Sequence, residues 1–348
     1  HLGKLFWFCT QSRSCPHYTI GSIMGVTMKS FWDKLPVPFV ALAPMDGITD
    51  PVFRQIVTQA GKPDVLFTEF VSADGLVSAG RERLTRHLLF QQNEHPIVAQ
   101  LFGSNPDHFF EAAKLVQSLG FDGVDINMGC PDNNVVKRGG GAGLMKTPQI
   151  AAAVIGAVKE GAGGLPVSVK TRIGYDDVQV GEWIPFLLSQ NIAVLSVHLR
   201  TLRQMYKGNA RWEYMKTIMN MRNSAGVSTK IIASGDIQNR QDVKRLHAMY
   251  GCDGYMIGRA ALRNPWVFHT KRGMEEVPVK ERLETFLKHI RLFPATWKEE
   301  RNPSELKKFC TMYTHAMPNA TAFRTHFMNL KTREEFQAFI QDYLSHSA

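Results

Sequence analysis

The chain has 348 residues, of which 44% are hydrophobic and 21% charged, and its mean hydropathy is -0.18. These values exclude a disordered chain and a polytopic membrane protein, and the length suits one domain of roughly 250 residues with an appendage, or two ordinary domains. A formal charge of +10 and a pI near 9.4 favour an anionic partner, nucleic acid ahead of membrane, because no stretch joins a basic face to an aromatic one. The excess is spread along the chain: residues 271–348 carry 13 Lys/Arg against 10 Asp/Glu. Five cysteines (Cys9, Cys15, Cys130, Cys252 and Cys310) make an odd, widely spaced set with no CxxC pair. That pattern argues against a disulfide framework or a zinc site and for a reducing, cytoplasmic setting.

Residues 1–27 read poorly as structure. Leu5-Phe6-Trp7-Phe8 is too short for a signal sequence, and although the lack of any acidic residue before Asp33 fits a transit peptide loosely, Met28 as a start fits better with an extension outside the domain. From Val40 onward, short apolar runs alternate with helix-like segments. The predicted strands are Val40 to Met45, Val65 to Val71, Ile97 to Phe102, Gly123 to Met128, Val167 to Ile173, Val194 to Leu199, Lys230 to Ser234 and Gly254 to Ile257. Predicted helices lie between them, such as Pro106 to Leu119 with Asn105 and Gly120 as caps, and the alanine-rich Gln149 to Lys159. Successive βα units over about 230 residues point to a (β/α)8 TIM barrel. No GxGxxG follows the first strand, so a Rossmann dinucleotide site is unsupported.

After Phe268 helical periodicity takes over, in Val279 to Phe293, Pro303 to His315 and Arg333 to Leu344. The division expected is therefore an extension over 1–27, a barrel over 28–268 and a small C-terminal all-helical domain over 269–348. The stripe Phe336, Phe339, Ile340 and Tyr343 reads as core. Lys307, Lys308, Arg324, Lys331 and Arg333 read either as a solvated face or as a nucleic-acid face.

The carboxyl ends of barrel strands converge on one mouth, where such folds keep their chemistry. Here those ends carry Pro44-Met45-Asp46, Thr68-Glu69, Gln100, Asn127 with Cys130, Lys170 with Arg172, His198 with Arg200, Ser234-Gly235-Asp236 and Gly258-Arg259. The fourth is the most distinctive. Val124-Asp125-Ile126-Asn127-Met128 is stopped by Gly129-Cys130-Pro131, which sets a thiol on a loop, and a glycine run, Gly139-Gly140-Gly141-Ala142-Gly143, follows as a loop that could close over a substrate. Cys130 alone reads equally as a small residue in a turn. Gly235 and Gly258 with Arg259 read as a phosphate corner. Strand alternation turns Lys170 inward, where it needs a flavin or an ion pair with Glu69 or Asp125. His198 and Gln100 each suit a flavin or a satisfied core position.

Taken in order, Ala43-Pro44-Met45-Asp46-Gly47-Ile48-Thr49-Asp50, Gln100-Leu101-Phe102-Gly103, Asp125-Ile126-Asn127-Met128-Gly129-Cys130-Pro131, Val169-Lys170-Thr171-Arg172-Ile173-Gly174, His198-Leu199-Arg200-Thr201 and Gly258-Arg259 resemble the tRNA-dihydrouridine synthases. The resemblance runs from about Val37 to near the C-terminus. It implies an FMN-dependent barrel with a C-terminal helical domain, acting on tRNA with NADPH as reductant, without a metal or a membrane anchor, and we expect a monomer. Cys130 becomes the general acid; Pro44, Met45, Asp46, Gln100, Lys170, His198, Ser234, Gly235, Asp236, Gly258 and Arg259 become FMN contacts; Asn127 and Arg200 face the uracil. Two positions depart from the family pattern. Ser234 stands where the family usually has Asn, and Leu202 where it usually has Arg, a role Arg203 would fill one position late.

The implied reaction reduces the C5=C6 bond of uridine: NADPH reduces FMN, hydride passes from flavin N5 to C6, and Cys130 protonates C5 from the opposite face. A thiol with an ordinary pKa of about 8.5 is protonated at neutral pH yet yields its proton readily. The target base must leave the tRNA stack, which suits a basic rim that includes Lys137 and Arg138. Two other readings are a small-molecule FMN oxidoreductase of the dihydroorotate dehydrogenase kind and a catalytically idle RNA-binding relative. The charge and the helical tail oppose the first; the joint presence of Cys130, Lys170 and His198 opposes the second.

Overall fold

In the computed structural model, residues 30–271, 273–298 and 301–346 are described; the extension expected over residues 1–27 lies outside them. The apolar runs form eight strands: β1 (Phe39–Leu42), β2 (Leu66–Ser72), β3 (Ile97–Phe102), β4 (Gly123–Met128), β5 (Val167–Arg172), β6 (Val194–His198), β7 (Lys230–Ser234) and β8 (Gly254–Ile257). All neighbours pair in parallel, in the order β1-β8-β7-β6-β5-β4-β3-β2, and an Ala41–Val65 bridge joins β1 to the segment entering β2, which closes the barrel. β1 ends before the expected Met45 because Pro44 has no N–H for the ladder and the Met45 N–H turns to Thr49 Oγ1 (2.9 Å).

The barrel interior changes character along its axis. Toward the amino end of the strands it is plugged by Trp32, Phe39, Phe67, Val98 and Val194, which belong to one apolar cluster that Ile232 and Met256 continue toward the mouth. Phe39 fills the space opposite Gly254, where a Cβ would lie 2.3 Å from its ring. Beyond that plug the interior turns polar from mid-strand onward: Gln100, Asp125, Asn127, Ser168 and Ser196 are all buried. Water is kept out below, and polar groups are gathered above.

Six longer helices cover the outside: α1 (Pro51–Gly61), α2 (Pro106–Ser118), α3 (Pro148–Gly161), α4 (Val180–Ser189), α5 (Met215–Ser224) and α6 (Arg240–Tyr250). Asp50 and Asn105 cap α1 and α2 by accepting from the N–H of Phe53 (2.8 Å) and Asp107 (3.0 Å), and Gly120 leaves α2 at φ 85°. Only short helical turns follow β2 (Ala73–Leu76 and Arg81–Thr85) and β8 (Arg259–Arg263).

Beyond residue 269 come α7 (Val279–Trp297), a turn of 3-10 helix (Pro303–Phe309) running into Cys310–Tyr313, α8 (Ala320–Asn329) and α9 (Arg333–His346). The aromatic stripe of α9 is core: Phe336 and Ile340 are fully buried, and the rings of Phe339 and Tyr343 lie 4.7 and 5.1 Å from that of Phe323. These helices share one apolar cluster with the outer layer of the barrel, joined where Phe309 stacks on Phe53 of α1 at 5.6 Å. Among the described residues no helix is long and apolar enough to cross a membrane.

The α1 face also carries a buried ion pair. Arg54 Nε donates to Glu94 Oε2 (2.7 Å) with both side chains fully buried, and its other nitrogens donate to the carbonyls of Thr49 and Leu89. Removing one partner strands the other charge. Arg54→Ala is expected to cost about 3–5 kcal/mol, read as a fall in the urea midpoint, while the paired change Arg54→Met with Glu94→Leu recovers most of that loss.

Candidate active site

A cavity of about 520 Å³ opens at the carboxyl end of the barrel. Pro44, Met45, Asp46, Gln100, Asn127, Cys130, Lys170, His198, Ser234, Gly235, Asp236, Gly258 and Arg259 all line it. Of the expected site residues only Arg200 does not.

Cys130 sits half-buried just beyond β4, its N–H donating to Asn127 Oδ1 (2.8 Å) and its carbonyl accepting from Ala142 N–H (3.1 Å). Burial pushes its thiol pKa up; the Asp132 N–H pulls it down, and the carboxylates of Asp132 and Asp46 raise it further. The group therefore stays protonated near neutral pH. The glycine run is not a lid. Gly141 to Met145 are buried in a 3-10 turn beneath the thiol, and a Cβ on Gly141 (φ 56°) would lie 2.8 Å from the Cys130 carbonyl oxygen. Close packing of backbone on backbone is what the glycine provides there.

Lys170 and His198 stand on β5 and β6. Among the described residues no protein group hydrogen-bonds the Lys170 ammonium, and burial, with Arg172 adding, lowers its pKa to about 8 against the pull of Asp125 and Cys130. It is still mainly a cation at pH 7. Burial and then the surrounding cations Arg172, Lys170, Arg200 and Arg259 press His198 well below its ordinary value, so the imidazole is neutral. Its Nε2 lies 3.2 Å from the Arg200 guanidinium, which can only donate, and so the ring proton belongs on Nδ1. The ion pair of Lys170 with Glu69 is not formed; Glu69 accepts from Gly47 N–H (2.6 Å) and pairs with His87 Nδ1 (2.9 Å).

The expectation that Arg200 faces a substrate is corrected by its packing. It is 1% exposed, and its Nη2 donates to both oxygens of Asp236 (2.6 and 2.8 Å) and to the Gly208 carbonyl (2.7 Å), while its buried Nε has no partner among the described residues. Asp236 also accepts from Ala210 N–H (2.7 Å) and from Arg259 (2.7 Å). Burial opposes its ionisation, but these bonds hold its pKa below the carboxylate range. Its carboxylate thus orients Arg259, which remains half exposed on the rim. Gly235 takes φ 139°, and a Cβ there would lie 2.6 Å from that of Ala210.

Sequence reading missed Tyr206. Its exposed ring reaches the cavity from the β6 loop, with the guanidinium carbons of Arg259 and Arg172 at 5.4 and 5.8 Å from its centroid. The only signal was an aromatic residue two before Gly208. Arg203, expected to stand in for Leu202, is exposed and does not line the cavity. Arg172 does line it, with Nε donating to the Gly129 carbonyl (2.7 Å) and Nη1 to those of Thr201 and Met205 (3.0 Å each), and none of these bonds uses its Nη2.

A closed parallel barrel gathers a protonated thiol, an ammonium, a neutral imidazole and an arginine-flanked glycine corner at its mouth, and the family that the sequence matches makes this protein a flavin-dependent oxidoreductase. The chain belongs to the dihydrouridine synthase family, whose description, Dihydrouridine synthase (Dus), matches residues 41–348. It is 42% identical over 318 residues to a probable tRNA-dihydrouridine synthase 2 of Bacillus subtilis (strain 168), covering 90% of this chain and 97% of that one. It is 39% identical over 318 residues to a probable tRNA-dihydrouridine synthase of Staphylococcus aureus (strain Mu50), covering 90% and 96%. Among solved structures, a 2-naphthoyl-CoA reductase complex shares the fold at a TM-score of 0.52 and 10% identity, over 66% of this chain and 49% of that one.

The raised thiol pKa has a direct readout. Alkylation of Cys130 by iodoacetamide, followed by peptide mass analysis, is expected to accelerate with pH along a curve displaced to the alkaline side of that for an unstructured cysteine. Buried Cys252 and Cys310 should stay unmodified.

Proposed function

We propose that this enzyme reduces the C5=C6 bond of uridines in tRNA in the cytoplasm, with FMN bound in the barrel mouth and NADPH as reductant. The observation that carries this reading is the meeting of a protonated thiol, an ammonium and a neutral imidazole in one cavity, with a cationic glycine corner next to the imidazole.

The residues present fit FMN. Gly235 and Gly258 leave backbone unshielded beside Arg259, which suits a phosphate, and Gly258 also faces Met45, whose sulfur would lie 3.5 Å from a Cβ there. Lys170 brings a cation without a hydrogen-bonding protein partner, which suits the electron-rich edge of a reduced flavin, and His198 keeps Nδ1–H as its donor. When bound, FMN supplies the hydride that a thiol and an ammonium lack.

The chain's own part is proton delivery and placement. Cys130 holds its proton at Sγ until charge develops at C5, then gives it up and is reprotonated from solvent. Asp132 and Asp46 keep the resting thiol from ionising. Lys137 and Arg138, exposed just after the thiol loop, and Arg324, Lys331 and Arg333 on the helical region, supply charge for tRNA phosphates, while the base enters the mouth singly. Lys307 and Lys308 contribute less, since they donate to the Met328 and Gly47 carbonyls.

Cys130→Ala should keep bound FMN and its bleaching by NADPH, and lose dihydrouridine formation on unmodified tRNA by at least about 100-fold. Full activity in that variant would remove the thiol from the mechanism. Gly235→Ala, strained at φ 139° and in conflict with Ala210, should weaken FMN binding by about tenfold or more, measured by quenching of FMN fluorescence on titration with apo-protein.

A further inference from the structure

In the cavity wall, β3, β4 and β5 carry a line of side chains whose hydrogen bonds all run one way. Asp125, fully buried on β4, accepts from Ser168 Oγ (2.5 Å) on one oxygen and from Gln100 Nε2 (2.6 Å) on the other. Gln100 Oε1 accepts from Asn127 Nδ2 (3.0 Å). Asn127 Oδ1 in turn accepts from the N–H groups of Gly129 (3.1 Å) and Cys130 (2.8 Å). Gln100 is fully buried and Asn127 is 6% exposed.

An amide side chain has nearly the same shape either way round, and only its partners choose. Here one end of the line is a carboxylate that accepts and the other is a pair of backbone N–H groups that donate. Both ends demand the same polarity, so a flip of either amide sets like against like in a dry interior. We propose that Asp125 is a positioning residue for the proton donor, acting through Gln100 and Asn127 to hold the Cys130 loop in one place. The role in catalysis rests on the proposed function; the positioning itself does not. It also leaves the Asn127 oxygen spent on the loop, so that toward a substrate the amide offers an N–H alone.

The polarity requirement separates two substitutions of similar size. Asparagine at position 125 can still present an oxygen to Gln100 and turn its nitrogen to Ser168 Oγ; valine offers Gln100 nothing. The test measures Cys130 alkylation by iodoacetamide at one pH in protein free of FMN and tRNA, by peptide mass analysis. Asp125→Val is expected to change the rate at least fivefold and Asp125→Asn less than twofold. Gln100→Leu should match Asp125→Val, and the double variant should be no further changed, since one line is cut in both. With FMN, NADPH and unmodified tRNA, Asp125→Val should lower kcat at least tenfold with KM within twofold.

A wild-type alkylation rate in folded Asp125→Val, an equal change in Asp125→Asn, or additive effects in the double variant would overturn the relay. Should Asp125→Val fail to fold, Gln100→Leu alone decides by the same rate. Loss of all tRNA activity in the wild type, with the alkylation pattern intact, would sink the proposed function and leave the relay standing.

Discussion

An ammonium inside a barrel has to be accommodated, and Lys170 shapes the mouth of this one. Its charge is not relieved by a hydrogen-bonding carboxylate among the described residues, and its pKa of about 8 reflects burial more than any partner. The same field keeps His198 neutral, because each added cation makes a protonated ring costlier. Asp125, its pKa raised to about 6 by burial, gives the ammonium distant support and is itself held by Ser168 and Gln100. The mouth shares its cations Lys170, Arg172 and Arg259 with the carboxylates of Asp46, Asp132 and Asp236, but Lys170 itself has no hydrogen-bonding anion among the described residues, a condition that an anionic cofactor or a developing negative charge would relieve.

Charge near the rim is distributed differently. Arg172 and Arg200 are buried and give most of their bonds to loop carbonyls and to Asp236, which makes them chiefly supports of the loops around the mouth. Arg259 shares Asp236 but stays half exposed, and so remains able to meet a ligand. Residues of one type around one mouth thus differ in what they leave for a ligand, according to how many donors the fold has already used.

The strands were legible because parallel barrel strands are short, apolar and bounded by glycine, proline or polar residues; β3, β4, β7 and β8 fall where their patterns begin and end. The mouth was legible for the same reason, since strand ends locate it. α8 was not, because only Phe323 and Phe327 of its residues are buried, too few to mark a period. The role of Arg200 was hidden too: nothing along the chain says that an arginine two residues after a strand will turn to a carboxylate 36 positions away. Tyr206 lay in a loop whose path depends on Arg172, and the glycine run looked mobile because flexibility and tight backbone packing ask for the same residue.

The helical region reaches the chemistry through the loop after β1. Lys308 donates to the Gly47 carbonyl, and the buried Asp50 accepts from Trp297 Nε1 (3.1 Å) and Arg301 (3.2 Å), whose guanidinium lies 3.7 Å above the Trp297 ring. Glu69 holds the Gly47 N–H and pairs with His87, whose ring packs edge-on to Trp297 at 4.9 Å. Burial and Glu69 raise the Asp50 pKa to about 6, against the pull of the Phe53 N–H and of Arg301 and Arg54. Pro44, Met45 and Asp46 line the cavity on the same loop, so the segment that walls one side of the mouth is clamped from outside by the helices. A force that shifts α7 relative to α1 acts on that wall directly, and the close packing of Phe309 on Phe53 leaves little slack to absorb it.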